Sequence, residues 1–419
     1  MVAVAPYTNS YLLIGYNDPP LIFFTLLTVL FVWRALSRQD NKYWYLAGFT
    51  SGLMLLSNLR SVLILLGILL FLLTSKEGRA WLRRKEPYLG MSIMVLLFLP
   101  TLVWYASHHF QPITYQLANR PGFLHLGLIA YLRDVASHTV LEMIAVSPLL
   151  WLISVFGLLY AGYASIKHRD IRFGYLFWLS APTFIIFTVT GGQIEWGMPA
   201  HVISLISGAA ALSILLARTS PRHLKSYVRV FVAASLILAV AITGASWYYF
   251  ATRYTLFNGW RELAQKVEET RMSMGSDQKP FVASPYYLIP SEVAYYCGYQ
   301  DYGYTEAFRV YNSKILGDDS HYSPWVPLED LVGKDFIFID DKQNPDGYNT
   351  PLSFWEQKIR PYFERTEEPI VFIERRRGRD FRTFYIFKCY GFKGPDKQMD
   401  VKGDIQAYMR SYPEPKASP

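Results

Sequence analysis

Residues 20–250 are a succession of long apolar runs separated by short loops rich in Lys and Arg. A membrane-spanning helix needs about 20 predominantly apolar residues, and repeated runs of that length predict a chain that crosses a bilayer many times. Beyond residue 250 the pattern changes to the mixed charge and turn residues of a water-soluble protein. The split explains how 419 residues that are 52% apolar and 16% aromatic keep a mean hydropathy of only +0.14. The sequence therefore predicts an all-α polytopic membrane domain over 1–250, a small extracytoplasmic α/β domain over 251–395, and a polar tail over 396–419.

Within the membrane region the apolar runs predict eight spans, at about 20–36, 43–58, 60–75, 88–106, 140–165, 173–190, 197–217 and 228–250. Lys and Arg stay on the cytoplasmic side of such chains. They follow the first span (Arg34, Arg38, Lys42), the third (Lys76, Arg79, Arg83, Arg84, Lys85), the fifth (Lys167, Arg169, Arg172) and the seventh (Arg218, Arg222, Lys225, Arg229). Every second loop is basic, so Asp18, loop 107–139, loop 191–195 and the soluble domain are expected outside. For a bacterial chain this means a multi-pass protein of the inner membrane. Residues 1–10 lack the charged and apolar regions of a signal peptide, so an internal start or a truncated N-terminus is expected.

The formal charge of +8 is accounted for by these topological loops, which argues against a nucleic-acid partner. The two cysteines, Cys297 and Cys389, both lie in the soluble region, with no zinc or redox spacing; a disulfide between them would need proximity that sequence does not give. The soluble region reads as helices over 258–273, 291–296 and 351–360, with strands at 281–283, 335–340, 370–373 and 383–387. The Asp318-Asp319 and Asp340-Asp341 pairs read as polar turns, with cation binding as the alternative, and Arg375-Arg376-Arg377 as a solvated turn.

There is no Walker A loop, dinucleotide GxGxxG, HExxH or GxSxG, and the eight histidines form no metal spacing. Polar groups at the outer face remain, where ionisable side chains are costly and point to function. Asp18, ahead of Pro19-Pro20, is able to take a hydroxyl proton or cap the helix. Arg60, between two short spans, is able to bind a phosphate or snorkel to headgroups. Trp104, His108, His109 and Gln116 suit a sugar or form part of an interfacial aromatic belt. Glu195 and Trp196 precede the seventh span, with capping as the alternative for the carboxylate.

In order, these segments resemble the polyprenyl-phosphate-dependent glycosyltransferases of the GT-C superfamily, in particular protein O-mannosyltransferases and lipid A aminoarabinose transferases. Asn17-Asp18-Pro19-Pro20-Leu21 is similar to the family's (T/P)DAPL. The stretch from Gly48 to Arg60 is similar to GLxxGLALLSKxxA, with Asn58 at the lysine and Arg60 two positions later. The stretch from Trp104 to Gln116 is similar to WNxxHxWxSFxFQ, and Glu195 to His201 to NWPAPAY, with Glu195 for Asn and His201 for Tyr. In the soluble region, Gly259 to Ala264, Ser291 to Tyr296 and Phe387 to Gly394 are similar to GWRELA, SELAFY and YRCxGFKG.

The resemblance implies inverting transfer of a sugar from a polyprenyl-phosphate donor to a hydroxyl of a lipid, glycan or protein on the outer face. It makes Asp18 the catalytic base, Arg60 the ligand of the donor phosphate, and Trp104, His108, His109, Gln116, Glu195 and Trp196 the sugar or acceptor contacts. The resemblance implies no particular cofactor, and either a divalent cation or a basic side chain would stabilise the leaving phosphate. The family's Asp-Glu pair of the first outer loop has no counterpart, which again suggests truncation. The alternative is a non-catalytic protein or transporter of lipid-linked sugars, which should carry its polar groups at mid-membrane depth in repeated halves.

Overall fold

The computed structural model describes residues 18–107, 109–110, 113, 128–190, 194–216, scattered positions between 226 and 248, 259–275, 280–284, 288–297, 331–342, 352–376 and 378–394. They fall into two compact units, Met1–Tyr248 and Tyr249–Pro419.

The first unit is helical: α1 (Asp18–Arg38), α2 (Lys42–Ser57), α3 (Val62–Thr74), α4 (Lys76–Leu82), α5 (Glu86–Ser107), α6 (Leu128–Val146), α7 (Pro148–Lys167), α8 (Ile171–Thr190) and α9 (Met198–Leu216). α1 opens on Asp18-Pro19-Pro20, where prolines lose no helical hydrogen bond and an acidic residue suits the positive helix end. Its buried residues Leu21, Thr25, Thr28, Val32 and Ala35 recur every three or four positions, forming one stripe. That stripe meets α2, tied by Thr28 Oγ1 to Thr50 Oγ1 at 2.9 Å, and meets α8, where the Tyr175 hydroxyl donates to the Val29 carbonyl at 2.7 Å.

Helices in lipid associate through small residues that let backbones touch. A Cβ on Gly48 of α2 would stand 2.0 Å from the Gly90 carbonyl oxygen of α5, and one on Gly157 of α7 would stand 2.2 Å from the Ser204 carbonyl oxygen of α9. Gly48→Val is expected to push α2 off α5 and cost about 1–3 kcal/mol, read as a lower unfolding midpoint of the detergent-solubilised protein.

Among the described residues, five helices are long and apolar enough to cross a membrane: α1, α5, α7, α8 and α9. A sixth is added if Leu59–Thr74 and α4, bent by 101°, form one broken span. The chain is thus a multi-pass membrane protein, but the expected eight spans are not reproduced among the described residues. α2 has 16 residues and α3 has 13, short for a bilayer. The expected span 140–165 is interrupted at Ser147, whose φ of 86° ends α6 before Pro148 starts α7. The residue before proline resists α-helical geometry, and this Ser-Pro step is the physical reason for the break. The expected last span, 228–250, lies largely outside the described residues; its described positions are helical.

α6 lies across one end of the bundle rather than through it. Its Tyr131 hydroxyl donates to the Val189 carbonyl near the end of α8 at 3.1 Å, and its Glu142 reaches His201 in the first turn of α9 at 2.9 Å. Eleven residues of helix, about 16 Å, therefore connect two points at the same end.

The second unit has a five-stranded sheet built from β1 (Phe281–Ala283), β2 (Phe336–Asp341), β3 (Phe363–Thr366), β4 (Ile370–Arg376) and β5 (Arg379–Phe392). The order is β1-β2-β5-β3, with β4 also paired to β5; β1 and β2 are parallel and the remaining pairs antiparallel. Alternation along β2 separates two cores. Phe336 and Phe338 join Phe363, Phe387 and Phe392 on one face, while Ile337 and Ile339 join Trp260, Leu263, Val293 and Phe384 on the other. The latter face carries the helices Trp260–Ser273 and Leu288–Tyr296.

Two sequence readings change here. Asp340 and Asp341 lie buried within β2 rather than in a turn, and Arg375 lies in β4, paired with Asp380 at 2.9 Å. Asp318-Asp319 and Arg377 fall outside the described residues.

Cys389 belongs to the first core and Cys297 packs against the second, so the two thiols sit on opposite faces and are free. Burial pushes the Cys297 thiol up to about 12 and Cys389 higher still. The folded state therefore favours neutral thiols, a contribution complete below the free-thiol range near 8.5 and lost as pH rises towards 12. At pH 8, iodoacetamide is expected to label Cys297 at least about 100-fold more slowly in the folded protein than in urea, because the thiolate is the reactive form.

Candidate active site at the carboxylate end of the bundle

Asn58 ends α2 by turning extended (φ −163°), and its side-chain oxygen accepts from the Arg60 N–H at 3.1 Å. The result is a short 3₁₀ turn, Leu59–Ser61, further fixed by Ser61 Oγ donating to the Met54 carbonyl at 3.3 Å. That turn presents Arg60 to the first turn of α1, where its guanidinium forms an ion pair with Asp18. Both side chains are nearly out of solvent, at 9% and 3% exposure.

Two candidates that sequence left as separate possibilities, a helix cap and a snorkelling cation, are thus one buried pair. Removing two charges from water costs several kcal/mol each, which tight mutual pairing offsets. Such a pair holds α1 against the α2–α3 break.

A second polar cluster lies at the same end. His201 Nε2 is 2.9 Å from Glu142 Oε1, and His201 Nδ1 is 2.7 Å from Ser154 Oγ. The imidazole and the serine hydroxyl share one hydrogen bond whose direction follows the tautomer. Glu142 also accepts from Trp151 Nε1 at 3.4 Å, and Phe184 packs edge-on to the imidazole with ring centres 4.7 Å apart. A side chain at Gly197 would enter the space of Glu142, since a Cβ there would lie 2.4 Å from Oε1.

The cluster joins α6, α7 and α9, and sequence reasoning did not single out Glu142 or Ser154. The available signal was a carboxylate inside the apolar run Thr139-Val140-Leu141-Glu142-Met143-Ile144, which membrane energetics alone marks as purposeful. His201→Ala is expected to cost about 2–4 kcal/mol by leaving Glu142 buried without its partner. A thermal melt in detergent reads the loss, and His201→Gln, which keeps one hydrogen bond, should recover part of it.

Trp104 lies in the last turn of α5, 44% exposed, with its ring 5.8 Å from that of Tyr105. His109 follows it, exposed and with φ of 52°. Trp196 lies on the 3₁₀ turn Ile194–Gly197 and packs on Phe187 of α8, ring centres 5.5 Å apart. His108, Gln116 and the Glu195 side chain fall outside the described residues. No cluster of three or more His, Cys, Asp or Glu residues suited to a metal occurs among the described residues.

Residues 1–104 match the family of dolichyl-phosphate-mannose-protein mannosyltransferases. The match takes in α1 through most of α5, and so includes both Asp18 and Arg60. It supports a GT-C-type, mannosyltransferase-like relationship for that quarter of the chain and does not reach the Ser154–His201–Glu142 cluster or the soluble unit. No curated protein and no solved structure matches the chain.

Proposed function

We propose that the chain is a membrane glycosyltransferase that moves a sugar from a polyprenyl-phosphate donor to a hydroxyl of a lipid, glycan or protein acceptor. The observation that carries this reading is the buried Asp18–Arg60 pair, lying within the stretch similar to mannosyltransferases. In the resting state the guanidinium is paired with the carboxylate. An arriving donor phosphate offers Arg60 a second anion with matching fork geometry, which frees Asp18 for the acceptor.

The acceptor oxygen attacks the anomeric carbon from the side opposite the phosphate, and its proton passes to Asp18. The bond from the anomeric carbon to the phosphate oxygen breaks, with inversion, and polyprenyl phosphate departs paired with Arg60. Trp104, His108, His109, Gln116, Glu195 and Trp196 are the proposed sugar or acceptor contacts. The chemistry takes place on the outer face of the inner membrane, where the short basic loops set the opposite end in the cytoplasm.

The test uses membrane vesicles carrying the native gene product and a panel of radiolabelled polyprenyl-phosphate sugars. Label is expected to pass to a hydroxyl acceptor, and Arg60→Ala is expected to raise the donor KM by about 10–100-fold, the loss of one charge-assisted contact. Movement of intact donor across the vesicle wall without transfer would overturn the reading in favour of a transporter.

A further inference from the structure

Four of the five residues from 375 to 379 are arginine, and they fall where β4 turns into β5. The ladder between β2 and β5 ends at Asp341 opposite Phe384, with one further bond from the Lys342 N–H to the Thr383 carbonyl at 3.0 Å. β4 stays paired with β5 beyond that point, as far as Arg376 opposite Arg379. The end of the hairpin therefore projects past β2 as a two-stranded arm about 10–15 Å long. Gly378, with φ of 76°, lies in its turn.

The arm has two unlike faces. Ile370 and Phe372 pack against the core that holds Trp260, and Glu374 is buried. Val371 and Ile373 alternate with them and point the other way, 48% and 37% exposed. Arg375 follows two residues on, exposed beside Asp380. Between Glu374 and Arg375 the register shifts, leaving Phe381 without an opposite residue, and such a bulge bends and twists an arm. Opposing charge is sparse: Asp380 is the one acid between residues 375 and 380. Glu367 and Glu368 precede the other end of β4, where they pair with Lys388 at 3.1 Å and Arg360 at 3.8 Å.

Clustered guanidinium groups suit phosphate or sulfate anions. Exposed Val and Ile on the same arm select a lipid surface among the sources of such anions, because aliphatic side chains enter a bilayer interface while cations meet its headgroups. A polysaccharide offers them no apolar contact. This unit is also joined to a multi-pass membrane segment, so a bilayer surface is held at high effective concentration. We propose that the β4–β5 arm docks on the bilayer in which the chain is anchored, Val371 and Ile373 entering the interface and the arginines of 375–379 pairing with anionic phospholipid. The contact uses no residue of the Asp18–Arg60 pair and is independent of sugar transfer.

The full chain in nanodiscs, one copy per disc, tests the proposal. Ile373→Cys carries a polarity-sensitive fluorophore whose apolar ring stands in for the side chain it replaces, and burial suppresses the native thiols Cys297 and Cys389. In discs containing phosphatidylglycerol, lipid with a shallow spin label is expected to quench the fluorophore, and high salt to relieve the quenching. Discs of phosphatidylcholine alone should show little quenching. Arg375→Gln, Arg376→Gln and Arg379→Gln together should weaken docking about 100-fold, at about fivefold per charge, and Val371→Ser about fivefold. The comparison of the two lipids needs no charge substitution, so it decides the matter even where the triple variant folds poorly. A fluorophore unquenched in both discs, or equally quenched in both and indifferent to salt, would overturn the proposal. So would a response to soluble heparin without one to lipid, the mark of a polysaccharide site, or a response confined to discs holding two copies.

Discussion

Asp18→Asn is expected to lower sugar transfer by about 10²–10⁴-fold, the usual contribution of a positioned general base. The same change leaves the Arg60 guanidinium buried without its carboxylate, at a cost of about 3–5 kcal/mol, so lost activity alone would not separate chemistry from folding. Asp18→Asn combined with Arg60→Gln removes both charges from a site where the side chains are 3% and 9% exposed. The double variant should regain most of the stability, because adjacent sites are not additive, while transfer stays abolished. Recovery of transfer along with stability would reduce the pair to a structural tie between α1 and the α2–α3 break. Asp18→Glu, which keeps the charge, offers an intermediate: folding retained, with turnover reduced by misplacement of the carboxylate.

The second large effect is expected in the soluble unit. Arg382 of β5 is wholly buried, and its Nε and Nη2 donate to Asp341 Oδ2 at 3.1 and 2.7 Å. Its guanidinium also stacks over Trp260 at 3.9 Å and Phe384 at 4.7 Å from the ring centres. This one side chain therefore joins two neighbouring strands to the helix Trp260–Ser273. Arg382→Ala should cost about 3–5 kcal/mol, since it strands Asp341 in the core and removes the cation from two aromatic faces. Hydrogen exchange of the β2 and β5 amides in the full protein reads the effect, which should greatly exceed that of Arg375→Ala, whose pair with Asp380 is exposed. Gly259 is tied to the same corner: its φ is +86°, and a Cβ there would lie 2.1 Å from Glu374 Oε2. Gly259→Ala therefore combines backbone strain with a steric conflict.

Much of the soluble fold was legible in local pattern. Short continuous apolar runs marked β2 and the middle of β5, and the spacing of Trp260, Leu263 and Val267 marked the helix that covers them. The short β3 (Phe363–Thr366) was missed because a four-residue strand with two exposed charged positions carries no clear period. Asp341 was misread for a related reason. An acidic pair at the end of an apolar run reads as a turn unless its partner is known, and Arg382 is 41 residues away.

In the membrane unit, hydropathy sets how many segments are oily but not how they lie. Asp18 and Arg60 were visible as costly residues in apolar surroundings, whereas the Ser147-Pro148 break was passed over within the expected span 140–165. The sequence by itself determined that the chain enters a membrane repeatedly, that the pattern changes to mixed helices and strands beyond residue 250, and that ionisable residues at the ends of the apolar runs repay attention. Those properties depend on composition and period, which are local. Only the tertiary structure decided that Asp18 and Arg60 are partners, that Glu142, Ser154 and His201 form one cluster, and that α6 lies across the bundle end. Pairing between residues 42 or 59 positions apart depends on how helices cross. Gly48 against Gly90 and Gly157 against Ser204 set such crossings through backbone contact, which no one-dimensional pattern records.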